Sequence, residues 1–227
     1  GDENFLIKAY DEITKIFQIS MEGTYSEMSI NDGHEEWFNS DVNNTYDEDR
    51  KINWHYWKYY RDYLTQVKKM SPVVVQEIDS ITSNILSKME DPEREGIWNR
   101  RGLVMGSVQS GKTGNYTGLI AKAIDAGYKF IVILTGTHNS LRSQTQIRIN
   151  EELLGYDLSK LQKIGSSNMN RVGVGKRWMM HKGRNIQTLT TSHEKGDFKR
   201  NLAQSVNPNL QNAHVMVIKK NVSIMKN

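Results

Sequence analysis

Apolar residues recur at helical spacing through the first part of the chain and predict three helices before residue 96. They span about 4–20, 53–70 and 71–89. The predicted core-facing positions are Phe5, Ala9, Ile13, Ile16 and Phe17, then Trp57, Tyr60, Leu64 and Val67, then Val74, Ile78, Ile81, Ile85 and Met89. Ser71-Pro72 is a typical helix start, and Asp91-Pro92 is predicted to end the third helix. Residues 21–50 are rich in Asn, Asp, Ser and Gly, which predicts a long acidic loop or a poorly ordered connection.

The second predicted helix carries an unusual group of aromatic residues. Its members are Trp54, Tyr56, Trp57, Tyr59, Tyr60 and Tyr63. Such rings can stack on nucleic-acid bases, but more often they form a packing face against a neighbouring domain. We favour packing and keep base stacking as the alternative.

After residue 96 the pattern changes to alternating strands and helices. A short buried strand is predicted at 102–106, followed by a glycine-rich turn and a helix that ends at Gly127. A second buried strand follows at 129–136, then a helix at about 139–154 that ends at Gly155, and a third strand at 214–220. Continuous apolar strands separated by helices indicate an α/β fold with a parallel sheet covered on both faces. We therefore predict a helical region at 1–95 and an α/β domain at 96–227.

Charge is distributed unevenly along the 227 residues, although the formal net charge is only +4. Residues 1–50 contain 13 Asp and Glu against 3 Lys and Arg, whereas residues 160–227 contain 13 Lys and Arg against 2 Asp and Glu. A basic half suits a polyanionic partner such as nucleic acid, because neutralised phosphates release counterions. The alternative is that the two surfaces face each other or solvent.

Composition narrows the class of protein further. The apolar fraction is 37%, the mean hydropathy is −0.64, and no apolar stretch approaches the roughly 18 residues of a membrane span. Because the chain has no cysteine, disulfide frameworks and thiolate metal sites are excluded. With no recognisable signal peptide, these features favour a cytoplasmic protein without a membrane partner.

A phosphate-binding motif lies between the first predicted strand and the helix after it. The pattern G-x-x-x-x-G-K-[ST] is matched in full by Gly106, Ser107, Val108, Gln109, Ser110, Gly111, Lys112 and Thr113. Glycines let successive N–H groups point at one anion, and the helix N-terminus adds its dipole. Lys112 is the predicted catalytic residue that reaches the β- and γ-phosphates of ATP, and the Thr113 hydroxyl is the predicted Mg²⁺ ligand. Gly114 is predicted to belong to the same site, and with Gly118 to let the helix lie close on the sheet.

Hydrolysis needs a carboxylate at the end of a buried strand, and no such residue is evident after Lys112. The strand at 129–136 ends in Thr135 and the strand at 214–220 ends in lysines. Asp197-Phe198-Lys199 resembles half of a nuclease carboxylate–lysine pair but lacks a second carboxylate, and the six histidines show no zinc-ligand spacing. Either the sheet is incomplete at the C-terminus and the domain continues beyond Asn227, which we favour, or the chain binds nucleotide without hydrolysing it.

Several stretches resemble the Z-one domain family. They are VQSGKT at 108–113, DAGYKFIVILTGTHNSLRSQTQIR at 125–148, NIQTLTTSHEKGDF at 185–198 and VMVIKKNVSIMKN at 215–227. The family is described as one of endonucleases, and its members are ATPases related to superfamily-two helicases from bacterial restriction-modification and phage-defence gene clusters. The resemblance covers about 130 residues and is strongest over 102–155.

The resemblance implies a RecA-like, helicase-type P-loop fold and a strand ending in acidic residues soon after position 227. It also implies that residues 135–146 touch the nucleic-acid backbone. The contact residues that we take from it are Thr137, His138, Asn139, Arg142 and Gln144. An ordinary strand-to-helix connection is the equal alternative for this segment.

Three functions remain open at this point. The first is the ATP-binding part of a helicase-like, DNA-directed ATPase in a restriction or anti-phage system, with methyltransferase or nuclease subunits as partners. The second is a nucleotide-gated scaffold that does not hydrolyse ATP. The third is a nuclease or nuclease-associated subunit, which no motif in this stretch supports.

Overall fold

The computed structural model describes residues 34–104, 112–160, 171–177, 186–198 and 212–221. The first predicted helix, at 4–20, lies outside these residues. The helices are α1 (His55–Gln66), α2 (Pro72–Lys88), α3 (Lys112–Ala126), α4 (Asn139–Ile149) and the short α5 (Val174–Arg177). The strands are β1 (Phe38–Asn39), β2 (Asn44–Thr45), β3 (Phe130–Thr135) and β4 (His214–Lys219). A π-helical turn, Asn150–Leu154, continues α4, and a 3₁₀ turn covers Leu158–Lys160.

The described part of the predicted acidic loop, residues 34–50, is a short hairpin fixed to the helices. β1 and β2 pair antiparallel, and the Trp37 indole N–H donates to the Met89 carbonyl oxygen at 2.9 Å. Arg50 contacts both carboxylate oxygens of Asp91 at 2.7 and 2.8 Å. The prediction of a poorly ordered connection is therefore wrong for these residues, because buried aromatic rings and an ion pair tie them to the end of α2.

The N-terminus of α1 is capped by the carboxylate of Asp125, which lies in α3. No side chain of α1's own N-terminus caps it. Instead the backbone N–H groups of Tyr56 and Trp57 donate to the two Asp125 oxygens at 3.0 and 2.9 Å. Free N–H groups at a helix start need such acceptors, and the helix dipole favours a negative charge there. The two helices are thus joined by a charged cap as well as by packing.

The aromatic residues of α1 serve packing, as the sequence favoured. Its buried residues are Tyr56, Trp57, Tyr60, Tyr63 and Leu64, whereas Val67, predicted on the same stripe, is exposed. Trp57 and Tyr60 lie in one apolar cluster with residues of α2, α3 and β4. Stacking on bases does not agree with this burial. The cluster contains residues from both sides of the predicted boundary near residue 95.

α2 starts as predicted, but the face that it buries is rotated about the helix axis relative to the predicted face. The Ser71 hydroxyl accepts from the Val74 N–H at 3.4 Å, and Pro72 occupies the first helical position. The buried residues of α2 are Val75, Ile78, Thr82, Ser83 and Leu86. Of the predicted apolar stripe only Ile78 is fully buried. Ser83 faces inward and meets a buried lysine of α3, described below, whereas the Thr82 hydroxyl donates to backbone carbonyls of its own helix.

α3 is the central helix: most of its described residues are buried and none of them is exposed. A Cβ added at Gly118 would lie 3.1 Å from Trp57 Cζ3 and 3.3 Å from Thr82 Cγ2. One added at Gly114 would lie 3.3 Å from Ile78 Cδ1. The prediction that these glycines bring the helix close to the sheet is therefore wrong. They let α1 and α2 approach α3 instead.

β3 and β4 pair in parallel over their full six residues, from Phe130 opposite His214 to Thr135 opposite Lys219. A bridge between Gln187 and His214 adds a further short stretch beyond β4. β4 is buried on both faces, but the outer face of β3 is open, with Phe130 60% exposed. The prediction that both faces of the sheet are covered is wrong for β3 within the described residues. Only Ile131 and Ile133 on its other face pack against the core.

The predicted strand at 102–106 is not present in its described part. Residues 101–104 have no regular structure, and Leu103 and Val104 are about half exposed. No neighbouring strand within the described chain pairs with them, so their apolar side chains and backbone groups stay on the surface. Residues 105 and 106 lie outside the described residues.

Both predicted helix stops are confirmed. Gly127 and Gly155 follow the helical segments with positive φ angles of 121° and 76°. This left-handed backbone is accessible to glycine at little cost, which is why it ends helices. Gly127 returns the chain from α3 into β3 with only two residues between it and the strand.

Candidate nucleotide-binding site

The candidate site is the N-terminal turn of α3, which begins at Lys112. Residues 106–111, which the sequence predicts to wrap the phosphates, lie outside the described residues, as do the side chains of Lys112 and Thr113. The backbone of Lys112, Thr113 and Gly114 forms the first turn. Of the predicted phosphate-binding set, Gly114 is thus the residue whose surroundings the structure gives in full.

The first turn of α3 suits an anion on two grounds. The leading N–H groups of an α-helix have no acceptor within the helix, and the helix dipole places partial positive charge there. The first turn of α3 contains no acidic residue that would repel a bound phosphate. α3 has 15 residues, long enough for these effects to develop.

α1 holds this turn from the side. The Tyr60 hydroxyl donates to the Gly114 carbonyl oxygen at 3.1 Å, and the Tyr60 side chain is only 1% exposed. Burial raises the pKa of Tyr60 far above its ordinary value of 10.0, so the phenol stays protonated and remains a donor at every working pH. Sequence reasoning placed Tyr60 in the core but missed this contact, because a helical stripe does not show where a hydroxyl points.

A buried ammonium group joins α3 to α2. Lys122 is 0% exposed and donates to the Asp79 backbone oxygen at 2.8 Å, to the Asp79 carboxylate and to the Ser83 hydroxyl. Its Nζ lies 4.7 Å from the ring centroid of Trp57 and 5.7 Å from that of Trp54. Burial lowers the pKa of Lys122, and the Asp79 carboxylate opposes that shift. The contact explains why α2 turns Ser83 inward.

The carboxyl ends of β3 and β4 carry basic and amide groups. Lys219 Nζ donates to Asn139 Oδ1 at 2.6 Å, and Lys220 N donates to the Thr135 carbonyl oxygen at 3.1 Å. Asp197 Oδ2 lies 3.8 Å from Lys219 Nζ, and the Asp197 side chain is mostly buried. The structure therefore brings one carboxylate to the end of β4 from a loop, although no apolar run precedes it in sequence. Its near neighbour is a lysine.

The residues predicted to contact nucleic acid divide into two groups. Thr137, His138, Asn139 and Gln144 are exposed around the start of α4. Arg142 is instead 0% exposed. Its guanidinium donates to the Thr191 carbonyl at 2.9 Å and to the carbonyls of His193 and Gly196.

The prediction of a phosphate contact for Arg142 is therefore wrong in this arrangement. The guanidinium is directed inward, where it satisfies the carbonyl oxygens of the turn at 191–196. Burial lowers its pKa, and the nearby Asp197 carboxylate opposes the shift. An arginine near a helix start looks exposed in sequence, because nothing local reveals a turn that folds over it from about 50 residues away.

The described residues do not form a metal site made of protein ligands alone. No group of three or more His, Cys, Asp or Glu residues among them is placed to hold an ion. Mg²⁺ at this site would be held by the phosphates and the Thr113 hydroxyl, which is the P-loop arrangement.

Comparisons with known proteins give no further guidance. No family model matches the chain, and neither a search of curated proteins nor a search of solved structures found a match. Among the described residues, no helix is both long and apolar enough to cross a membrane.

Proposed function

We propose that this chain is the ATP-binding part of a helicase-like, DNA-directed ATPase of a bacterial restriction or anti-phage system. The observation that carries the proposal is the complete G-x-x-x-x-G-K-T run, whose lysine is the first residue of α3. A glycine-rich turn leading directly into a helix directs backbone N–H groups at one polyphosphate. The resemblance to the Z-one domain family supports the helicase-like assignment and the bacterial context.

The residues have separate tasks in this proposal. The N–H groups of the first turn of α3 bind the phosphates, and the Lys112 ammonium neutralises charge on the β- and γ-phosphates. Mg²⁺ would neutralise further phosphate charge when it is bound, and the Thr113 hydroxyl would be its protein ligand. Thr137, His138, Asn139 and Gln144 offer an exposed polar edge at the start of α4 that suits contact with a DNA backbone.

The test is a titration of the chain with a fluorescent ATP analogue in the presence of Mg²⁺. Lys112→Ala is expected to weaken binding by at least about tenfold, since one charge-assisted contact to phosphate contributes about 1.5–3 kcal/mol. Lys129→Ala is the matched control: it removes the same charge just beyond the opposite end of α3, where Lys129 is exposed. Equal affinities for Lys112→Ala and the unaltered chain would remove the site.

A nucleotide-gated scaffold is the second candidate, and one observation favours it. β4 ends at Lys219 and is followed by Lys220, and the Asp197 carboxylate lies beside Lys219. Neither group resembles the carboxylate that orients the attacking water in a P-loop ATPase. Turnover stimulated by DNA in a protein that contains this chain favours the ATPase; ATP binding without stimulated turnover favours the scaffold.

A further inference from the structure

α1 contacts α3 at three successive levels. Asp125 caps the start of α1, Trp57 packs against Gly118, and the Tyr60 hydroxyl reaches the carbonyl of Gly114. The two helices therefore run antiparallel, and each successive contact lies nearer to Lys112. Tyr60 makes the last of them, within the turn that carries the proposed phosphate-binding N–H groups.

The contact at Gly114 is built closely. A Cβ at this position would lie 3.3 Å from Ile78 Cδ1, which is crowded, and 3.7 Å from the Tyr60 hydroxyl oxygen, which is an ordinary contact. A carbonyl oxygen has two lone pairs, so that of Gly114 can accept from Tyr60 and also take part in the helix's own hydrogen bonds. The bond thus fixes the position of the first turn without unwinding it.

From this geometry we propose that Tyr60 is a positioning residue for nucleotide binding, acting through the carbonyl of Gly114 on the first turn of α3. The inference rests on the proposed function and deepens it. Phosphate-binding N–H groups work because they are held in place before the anion arrives. Without the hydroxyl, part of the binding energy is used to order the turn, and the affinity for ATP falls.

The experiment measures Mg-ATP affinity and thermal stability for Tyr60→Phe in the same chain. The substitution keeps the buried ring and removes only the donor. Affinity is expected to fall about fivefold, the equivalent of one ordinary hydrogen bond, at a temperature well below melting. Tyr63→Phe is the matched control, since Tyr63 is also buried on α1 but its hydroxyl pairs with Lys68. It is expected to leave the affinity unchanged.

The outcomes separate this inference from the proposed function. If the unaltered chain does not bind Mg-ATP, the proposed function fails and the inference fails with it. Suppose that the unaltered chain binds Mg-ATP and that Lys112→Ala weakens this binding. If Tyr60→Phe then binds with normal affinity but melts at a lower temperature, Tyr60 is structural only and the inference is overturned. Equal weakening by Tyr63→Phe overturns it too. Should Tyr60→Phe prove unfolded, the hydroxyl is required for the fold itself and the inference is overturned as well.

Discussion

Asp79→Asn is expected to destabilise the protein by about 3 kcal/mol, because it leaves the ammonium of Lys122 buried without a carboxylate. Losing one partner of a buried ion pair is costly, since the remaining charge cannot regain its hydration. The Asp79 backbone oxygen, the Ser83 hydroxyl and the rings of Trp54 and Trp57 remain as partners, and they compensate only in part because none of them carries a full negative charge. Urea denaturation at pH 7 measures the loss.

Lys122→Met provides the control for this prediction. Methionine is unbranched and only one atom shorter than lysine, so it is expected to pack beside the two indoles, and Asp79, being partly exposed, can be hydrated by water. The double variant Asp79→Asn with Lys122→Met is therefore expected to recover most of the stability that Asp79→Asn loses. A double variant as unstable as Asp79→Asn alone would contradict the account, as would Asp79→Asn matching the unaltered protein.

The same pair gives a pH dependence with a defined sign. Because burial lowers the pKa of Lys122 below 10.5, the folded protein binds fewer protons than the unfolded chain between the lowered pKa and 10.5. The free energy of unfolding therefore rises with pH across that window. Asp79→Asn removes the opposing carboxylate, so the pKa falls further and the rise begins at a lower pH. Lys122→Met should abolish this contribution.

Arg142→Met is expected to destabilise the protein by about 2 kcal/mol. The substitution removes the guanidinium donor from the half-buried Thr191 carbonyl oxygen, whereas the carbonyls of His193 and Gly196 still accept from the backbone N–H groups of Gly196 and Thr191. Each unsatisfied buried polar group costs about 1–3 kcal/mol, although part of the turn can open to water. Thermal or urea unfolding measures the change. Arg148→Met, on the same helix but exposed, is the control and should change stability by less than about 0.5 kcal/mol.

Arg142→Met also separates the structural role from the nucleic-acid contact that the family resemblance implied. A phosphate contact would make DNA affinity fall by a similar factor on every sequence and reduce its salt dependence, while leaving stability unchanged. The structural role predicts the reverse: stability falls, while the salt dependence of DNA affinity, measured on the protein that remains folded, is unchanged. Normal stability in Arg142→Met would contradict the inward placement of the guanidinium.

Local signals in the sequence predicted element types and ends well. Ser71-Pro72 started α2, Gly127 and Gly155 ended helices, and the apolar runs at 130–135 and 214–219 paired as parallel strands. Each is decided within a few residues by capping, by glycine's access to positive φ, or by unbroken apolar character. The aromatic face of α1 also packed as expected, because large rings are stabilised most by burial.

Features decided by contacts across the chain could not be predicted in this way. Periodicity showed that Gly114 and Gly118 share a face of α3, but not whether helices or strands approach it. Lys122 and Arg142 look like surface residues until their partners, Asp79 and the turn at 191–196, are placed beside them. The same holds for the candidate site. Its motif is evident in the sequence, but the contact from Tyr60 to the first turn of α3 comes from another helix and is not.

Nucleotide phosphate is expected to bind at the first turn of α3. Amide hydrogen exchange across residues 112–118, with and without Mg-ATP, tests this most directly. Mg-ATP is expected to slow exchange in this turn, Lys112→Ala to reduce that effect, and α2 to exchange at the same rate in both states. Exchange at residues 112–118 that is unchanged by saturating Mg-ATP would contradict phosphate binding there.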